Sequence, residues 1–401
     1  MLSLDNFYDA QQILAPIARK TAIIHSQSLG LHLKTENLQL TGSFKLRGAY
    51  YKMSKLPNDT TGVVACSAGN HAQGVALAAR EMNIPCTIFM PDGAPLSKVA
   101  ATEALGATIK LVPGGYDDAY QKAIVFQTET GATLIHPFDD QDVIAGQGTI
   151  GLEILEQLSD IDAIVVPIGG GGLIAGVARA VKLSNPNIKI YGVQAENAAS
   201  MLESNLIHDI HVQKSNKMDD SYTFSSIPTF ADGIAVKKPG TLTLEYVQQH
   251  VDAIVTVSDD EIAAAVLRLM ERQKLVCEGA GAVSVAAYMA DKLPKHDNTV
   301  CILSGGNIDV NILSRVITRG LVTNGRKATL KIALEDKPGQ LLGVSRVVAE
   351  CGGNVISVDY SGSDPDMAIT SCFLTIGLET KDFSQIDAIR TALSNAGLVV
   401  M

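Results

Sequence analysis

The stretch Ala163-Ile164-Val165-Val166-Pro167-Ile168-Gly169-Gly170-Gly171-Gly172-Leu173 decides the fold class. Ala163–Pro167 is an apolar run with no polar interruption, as a strand covered on both faces should be. The glycines that follow form a turn, and the chain then enters a helical pattern at Leu173. A strand that ends in a turn and runs into a helix is the repeating unit of an α/β layered domain with a parallel sheet. The alternation extends from about residue 60 to 320. It predicts strands at Val63–Cys66, Cys86–Met90, Thr108–Val112, Thr133–His136, Ala163–Pro167, Ile188–Gln194 and Val300–Leu303, all expected to be covered on both faces. Amphipathic segments between them predict helices at Ala72–Met82, Asp117–Thr128, Val143–Leu158 and Asp259–Arg272. Ser258 and Glu261 form a capping-box pattern at the start of the last of these.

The order of elements changes near Thr323-Asn324-Gly325-Arg326-Lys327. Beyond it, Thr329–Leu334 reads as a strand, Gln340–Cys351 as a helix, Val355–Tyr360 and Ser371–Leu378 as strands, Phe383–Asn395 as a helix and Gly397–Met401 as a closing strand. This is the βαββαβ order of a ferredoxin-like domain. A domain boundary is expected at about residue 325, giving units 1–324 and 325–401. The polar stretch Asp209–Ser226 reads as a surface excursion.

Composition narrows the function classes. Of 401 residues, 46% are hydrophobic and 18% charged, so the chain can build a large core and does not have the composition of a disordered protein. The net charge of -10, with no stretch dense in Lys or Arg, argues against a nucleic-acid partner. No segment reaches the roughly 18 apolar residues of a membrane helix, and Met1-Leu2-Ser3-Leu4-Asp5 lacks the features of a signal peptide. The six cysteines stand singly in apolar surroundings with no CxxC pair, the pattern of buried thiols in a reducing cytoplasm, and no metal site is assigned.

Four segments carry chemistry. Thr41-Gly42-Ser43-Phe44-Lys45-Leu46-Arg47-Gly48-Ala49 offers a lysine beside an aromatic ring. An aldehyde cofactor needs such an amine for a Schiff base, although a solvated lysine at a helix start has the same local look. Cys66-Ser67-Ala68-Gly69-Asn70-His71-Ala72-Gln73-Gly74 follows a strand and opens a helix. Its free N–H groups suit a carboxylate, and Asn70 can donate to a phenolate-type oxygen. His71 reads as structural before it reads as a base, because no acid is near it in sequence. The Gly169–Gly172 loop can fold around a phosphate. It lacks the GxGxxG spacing and the GK[ST] ending, which disfavours dinucleotides and nucleoside triphosphates. Ile302-Leu303-Ser304-Gly305-Gly306-Asn307 ends a buried strand, where Ser304 can bond a heterocyclic nitrogen or simply cap a helix.

With SFKLRGA, SAGNHAQG, PIGGGGL and LSGGN in this order, the chain resembles the tryptophan-synthase-β-like pyridoxal-phosphate enzymes, and within them the threonine dehydratases, from about Leu4 to Arg319. The resemblance implies a two-domain catalytic region with parallel sheets, its smaller subdomain spanning roughly 49–146. It implies pyridoxal 5'-phosphate as cofactor, carried on Lys45. Phe44 would pack on the pyridine ring, Asn70 would bind the ring hydroxyl, Gly169, Gly170, Gly171, Gly172 and Leu173 the phosphate, and Ser304 the ring nitrogen. Ser43 and the loop Ser67, Ala68, Gly69, Asn70, His71 would hold an amino-acid substrate. Lys45 would then act as base at Cα, and loss of the β-hydroxyl would lead to a 2-oxo acid and ammonia, from L-threonine and from L-serine. A neutral partner such as Ser304 at the ring nitrogen disfavours long-lived carbanions. The serine racemases and hydroxyaspartate dehydratases of this family are rival readings. Related racemases carry a serine directly before the Gly-Asn of the second motif, and here that residue is Ala68. A non-catalytic amino-acid sensor is a further alternative, opposed by the intact Lys45.

Asp336-Lys337-Pro338-Gly339-Gln340-Leu341 and Gly352-Gly353-Asn354-Val355 resemble the turns of an ACT domain. That implies an amino-acid effector near Lys337, Pro338, Gly339, Gln340, Leu341 and Asn354. The family further implies a homodimer or homotetramer.

Overall fold

The computed structural model describes residues 1–204, 229–362 and 370–401. The expected excursion Asp209–Ser226 lies outside the described residues. The chain divides into two compact units, Met1–Asp309 and Val310–Met401. The division falls before the helix Val310–Thr323, ahead of the composition shift at residue 325.

Among the described residues the first unit holds ten strands: β1 (Ile23–Ser26), β2 (Leu31–Lys34), β3 (Val63–Cys66), β4 (Cys86–Pro91), β5 (Thr108–Val112), β6 (Thr133–Leu134), β7 (Ala163–Pro167), β8 (Lys189–Ala195), β9 (Ala253–Val257) and β10 (Thr299–Ile302). They make two sheets. The larger runs β1-β2-β10-β7-β8-β9 and is parallel except for the β1/β2 hairpin. The smaller runs β5-β4-β3-β6 and is parallel throughout. Ile164, Val166, Ile190, Ile254, Val300 and Ile302 form the core of the larger sheet with Ile174 and Val177 of the helix Gly172–Ser184. Val63, Ala65, Ile88 and Met90 pack with Val75 and Ala79 of the helix Asn70–Met82 in the smaller.

Three expectations change. β5 is not covered on both faces: it is an edge strand, mostly exposed, with Lys110 lying over the Phe126 ring at 4.3 Å. β6 stops at Leu134; Ile135 keeps one bond to β3, from its N–H to Val64 O, with its side chain in the core, and the chain departs at His136. The helix from Asp259 runs α-helical only to Arg268 and closes in a π-turn, Leu269–Gln273, ending at Lys274 with positive φ. β1, β2 and β9 had no sequence expectation. The Ser258/Glu261 capping box is present, with Ser258 N–H donating to Glu261 Oε2 at 2.7 Å.

Beneath the helix Lys45–Ser54 lies a buried ionic group. Arg47 donates to Glu36 and Glu153, Lys34 donates to Glu153 at 2.6 Å, and Thr21 donates to Glu36. Two cations face two carboxylates, so the group is neutral as a whole. Burial opposes the Arg47 charge, but Glu36 and Glu153 outweigh it and hold the guanidinium protonated.

In the second unit β11 (Lys327–Glu335), β12 (Asn354–Ser361), β13 (Ser371–Glu379) and β14 (Val399–Val400) form an antiparallel sheet in the order β12-β13-β11-β14. The helices Gln340–Glu350 and Phe383–Asn395 supply Val344, Val348, Ile389 and Leu393 to a core with Leu330, Ile332, Leu374 and Ile376. This is the expected ferredoxin-like, ACT-like arrangement.

Candidate active site

Parallel strands expose their loops at their carboxyl ends, where open α/β sheets bind ligands. Four such loops meet in the first unit: Ser67–Asn70 after β3, Ile135–Asp139 after β6, Ile168–Gly172 after β7 and Leu303–Asn307 after β10.

Lys45 begins the helix Lys45–Ser54, and its Nζ donates to the Pro137 carbonyl at 2.9 Å. The amine also sits 5.3 Å from the Phe44 ring centroid. Burial lowers its pKa to about 8, against the opposing charge of Glu278. The turn that presents it is stitched to the β10 loop. Phe44 N–H donates to Ser304 O at 3.1 Å, Gly306 N–H donates to Gly42 O at 2.8 Å, and Ser43 bridges Gly305. Ser43 Oγ is fully buried and has no partner among the described residues.

The glycine loop is shaped by its surroundings as well as by any ligand. A Cβ on Gly170 would lie 2.4 Å from the Phe138 ring, and Gly171 has φ +97° with Thr243 against it. Thr243 Oγ1 donates to Gly170 O at 2.6 Å, which turns that carbonyl to the rear of the loop. Among the described residues, nothing accepts from the N–H groups of Gly169, Gly170 and Gly171. The first-turn N–H groups of the helix Gly172–Ser184 follow directly. A row of free donors on a helix N-terminus fits a phosphate monoester. The Leu173 side chain belongs to the core, so its contribution to such a cradle is its N–H.

At the β3 loop, Ser67 Oγ accepts from Gly69 N–H at 3.1 Å and the helix Asn70–Met82 begins. A Cβ on Gly69 would meet nothing within 4 Å, so space remains there for a ligand, and Ala68 carries no hydroxyl. His71 points away from acid–base work. Its Nε2 bonds Ile135 O at 2.8 Å, and burial with the Lys45 charge pushes its pKa down to about 3. Asn70 Nδ2 donates to Glu278 Oε1 at 2.6 Å and Asn70 Oδ1 accepts from Asn307. Ser304 is buried and its hydroxyl donates weakly to Ala280 O at 3.4 Å, leaving it able to turn to a better acceptor.

Sequence reasoning did not single out Glu278, the Pro137 carbonyl or Phe138. Each sits just past a strand or just before a helix: Glu278 precedes Gly279–Met289, and Pro137-Phe138 follows β6. A lone acid in the apolar run Val276-Cys277-Glu278-Gly279-Ala280 was the available signal for the first. Burial, then Asp232, raises the Glu278 pKa to about 7. Asp232 itself is paired with Lys98 at 2.6 Å.

In the second unit, Pro338, Gly339 and Gln340 line a groove of about 460 Å³ with Arg346, Val347 and Leu398. Lys337, paired with Glu335, is not part of its lining, nor are Leu341 and Asn354; Asn354 donates to Glu379 at 3.2 Å. Among the described residues no cluster of His, Cys, Asp or Glu could hold a metal ion, and no helix is long and apolar enough to cross a membrane.

A lysine of lowered basicity at a helix start, with a cradle of free N–H donors and a buried neutral hydroxyl on strand ends of the same α/β unit, fits a phosphate-bearing aldehyde. The family described as pyridoxal-phosphate dependent enzyme matches residues 14–305, and the chain belongs to it. The chain is 46% identical to an L-threonine ammonia-lyase of Thermotoga maritima, over 100% of this chain and 99% of that one. Among solved structures it is similar to the processed form of threonine deaminase isoform 2 from Solanum lycopersicum, at 38% identity and TM-score 0.70, over 79% of this chain and 94% of that one. It is similar as well to maize serine racemase, at 35% identity and TM-score 0.70, over 80% and 98%.

Proposed function

We propose that the chain is a threonine ammonia-lyase, converting L-threonine to 2-oxobutanoate and ammonia and L-serine to pyruvate and ammonia. The observation that carries this is the Lys45 amine, held among the four strand-end loops with its basicity lowered. Lys45, Gly169 to Leu173, Asn70, Ser304 and Phe44 would hold the cofactor, which when bound supplies a sink for the electron pair left at Cα. The other steps belong to the protein. The N–H groups at the start of the helix Asn70–Met82, with Ser67 and the open space at Gly69, suit the substrate carboxylate. A pKa near 8 keeps a useful fraction of Lys45 neutral, so that it can take the Cα proton. Loss of the β-hydroxyl as water and hydrolysis of the released enamine balance the reaction.

Ala68 favours this reading over racemisation, which needs a proton donor on the face opposite Lys45. The deciding experiment measures 2-oxo acid from L-threonine and L-serine alongside D-serine from L-serine. Racemisation that outruns 2-oxo acid formation would overturn the assignment.

The second unit is read as a sensor of a small amino acid at the groove around Gly339, Gln340 and Arg346, and the reaction as feeding either isoleucine synthesis or amino-acid catabolism. The protein is read as a cytoplasmic homodimer or homotetramer. Its six cysteines are all free, in keeping with a reducing compartment. Assays with isoleucine and valine, and sedimentation of the purified protein, test these points.

A further inference from the structure

We infer that Glu278 and Asn307 are positioning residues that lock the Asn70 amide in one sense, leaving its second N–H for the cofactor's ring oxygen. The inference rests on the reading that Asn70 meets that oxygen, and deepens it. The argument starts from a group that cannot invert. Thr41 O is a backbone acceptor, and an Asn307 amide atom lies 2.7 Å from it, so that atom must be the amine Nδ2. The same Nδ2 lies 2.7 Å from the Asn70 amide, which must therefore present its oxygen. The Asn70 amine then faces Glu278 Oε1 at 2.6 Å. Donation runs in one direction, from Asn307 to Asn70 to Glu278, with an acceptor at each end of the chain.

Turning the Asn70 amide over would set its oxygen against a carboxyl oxygen and its amine against the Asn307 amine. The contact with Asn307 would be repulsive in either state of Glu278, and the contact with Glu278 would be repulsive whenever its carboxyl is ionised; Glu278 is buried and both bonds are partly shielded from solvent. An amine has two hydrogens. Glu278 takes one, and no other partner of Asn70 Nδ2 exists among the described residues. The relay is also anchored to the catalytic lysine. Glu278 N–H donates to Gly305 O at 3.1 Å, Gly305 bridges Ser43, and Gly306 N–H donates to Gly42 O. The Glu278 carboxyl lies directly over Gly305, where a Cβ would come within 2.3 Å of Oε1. The amide that addresses the ring oxygen and the lysine that addresses the aldehyde are thus held by one loop.

Glu278→Gln keeps the shape but lets the residue offer either an oxygen or an amine, so the amide loses its preferred sense at that end. The test titrates pyridoxal phosphate into the apoprotein, following both the dissociation constant and the absorption spectrum. For Glu278→Gln we expect binding weakened about tenfold, ~1.4 kcal/mol, and intensity moved from the longer-wavelength cofactor band to the shorter one. Asn307→Ala should do the same, and Asn70→Ala at least as much. The double variant Asn70→Ala/Glu278→Gln should be no worse than Asn70→Ala alone, because Glu278 acts through Asn70. Wild-type binding and spectrum in Glu278→Gln, with Asn70→Ala impaired, would overturn the inference and leave the reading of Asn70 intact. Full additivity in the double variant would overturn it too. Normal behaviour of Asn70→Ala would instead sink the reading of Asn70 itself. Should Glu278→Gln fail to fold, Asn307→Ala decides: an unchanged spectrum there overturns the inference.

Discussion

Lys45 Nζ donates to the Pro137 carbonyl oxygen at 2.9 Å, which ties the start of one helix to the turn that leaves β6. A single neutral acceptor is a weak partner for an ammonium, so burial is left to lower the amine's basicity. Lys45→Ala should therefore fold normally. It should lose the cofactor absorption band and drop turnover by about 10³-fold or more, within the range of a general base. Lys98 is not a substitute, since it is engaged by Asp232. Absorption spectra and circular dichroism of the purified variant check both halves.

The rate at which the apoprotein captures pyridoxal phosphate should depend on pH through the same amine. Only the neutral amine attacks an aldehyde, and burial lowers the Lys45 pKa to about 8. Below that value the rate should climb about tenfold per pH unit, levelling off above it. Stopped-flow absorbance across pH 6 to 10 measures it. A break nearer the ordinary lysine value would mean that burial does not tune this group.

Arg47→Ala should be strongly destabilising although Arg47 touches no reacting group. Its removal leaves Glu36 and Glu153 buried, with Lys34 as their remaining cation. Breaking a buried pair from one side costs about 3–5 kcal/mol. Urea unfolding of the apoprotein reports it, and a loss under 1 kcal/mol would show that water enters the cluster.

Ala68→Ser should add measurable D-serine formation to the elimination reaction, because it restores a hydroxyl in the loop that follows β3. Chiral chromatography of L-serine incubations gives the ratio. The gain should be small, as the new hydroxyl has no partner built to orient it.

A chain ending at Asp309 should stay folded and keep the cofactor, since the family match at residues 14–305 lies inside the first unit. It should lose any response to amino-acid effectors. In the full-length chain, Gly339→Leu should reduce that response, because Gly339 holds φ +94° at the groove and a leucine is strained there. Activity assays with and without isoleucine or valine, on both variants, test this; an intact response in the truncated chain would remove the second unit from regulation.

The amino-acid sequence by itself determined the layered α/β class, the βαββαβ order of the second unit and the four motif segments around Lys45, Asn70, Gly170 and Ser304, but not the loop after β6. These features are local. An apolar run followed by Gly, Ser or Asn and then a helical period describes a strand, a turn and a helix within a dozen residues, whatever the rest of the chain does. Strand ends were less legible: Thr133–His136 read as one strand, but the pairing of β6 with β3 covers only Thr133 and Leu134, and the last bond to β3 is the one Ile135 N–H donates to Val64 O. Only the tertiary structure decided that Glu278 stands behind Asn70, that Pro137 faces Lys45, that Phe138 sets the shape of the glycine loop and that Arg47 holds two acids instead of facing solvent. Those contacts join residues far apart in the chain. They exist because parallel strands β3, β6, β7 and β10 present their carboxyl ends together, and because a buried polar group must find its partner wherever the packing brings one.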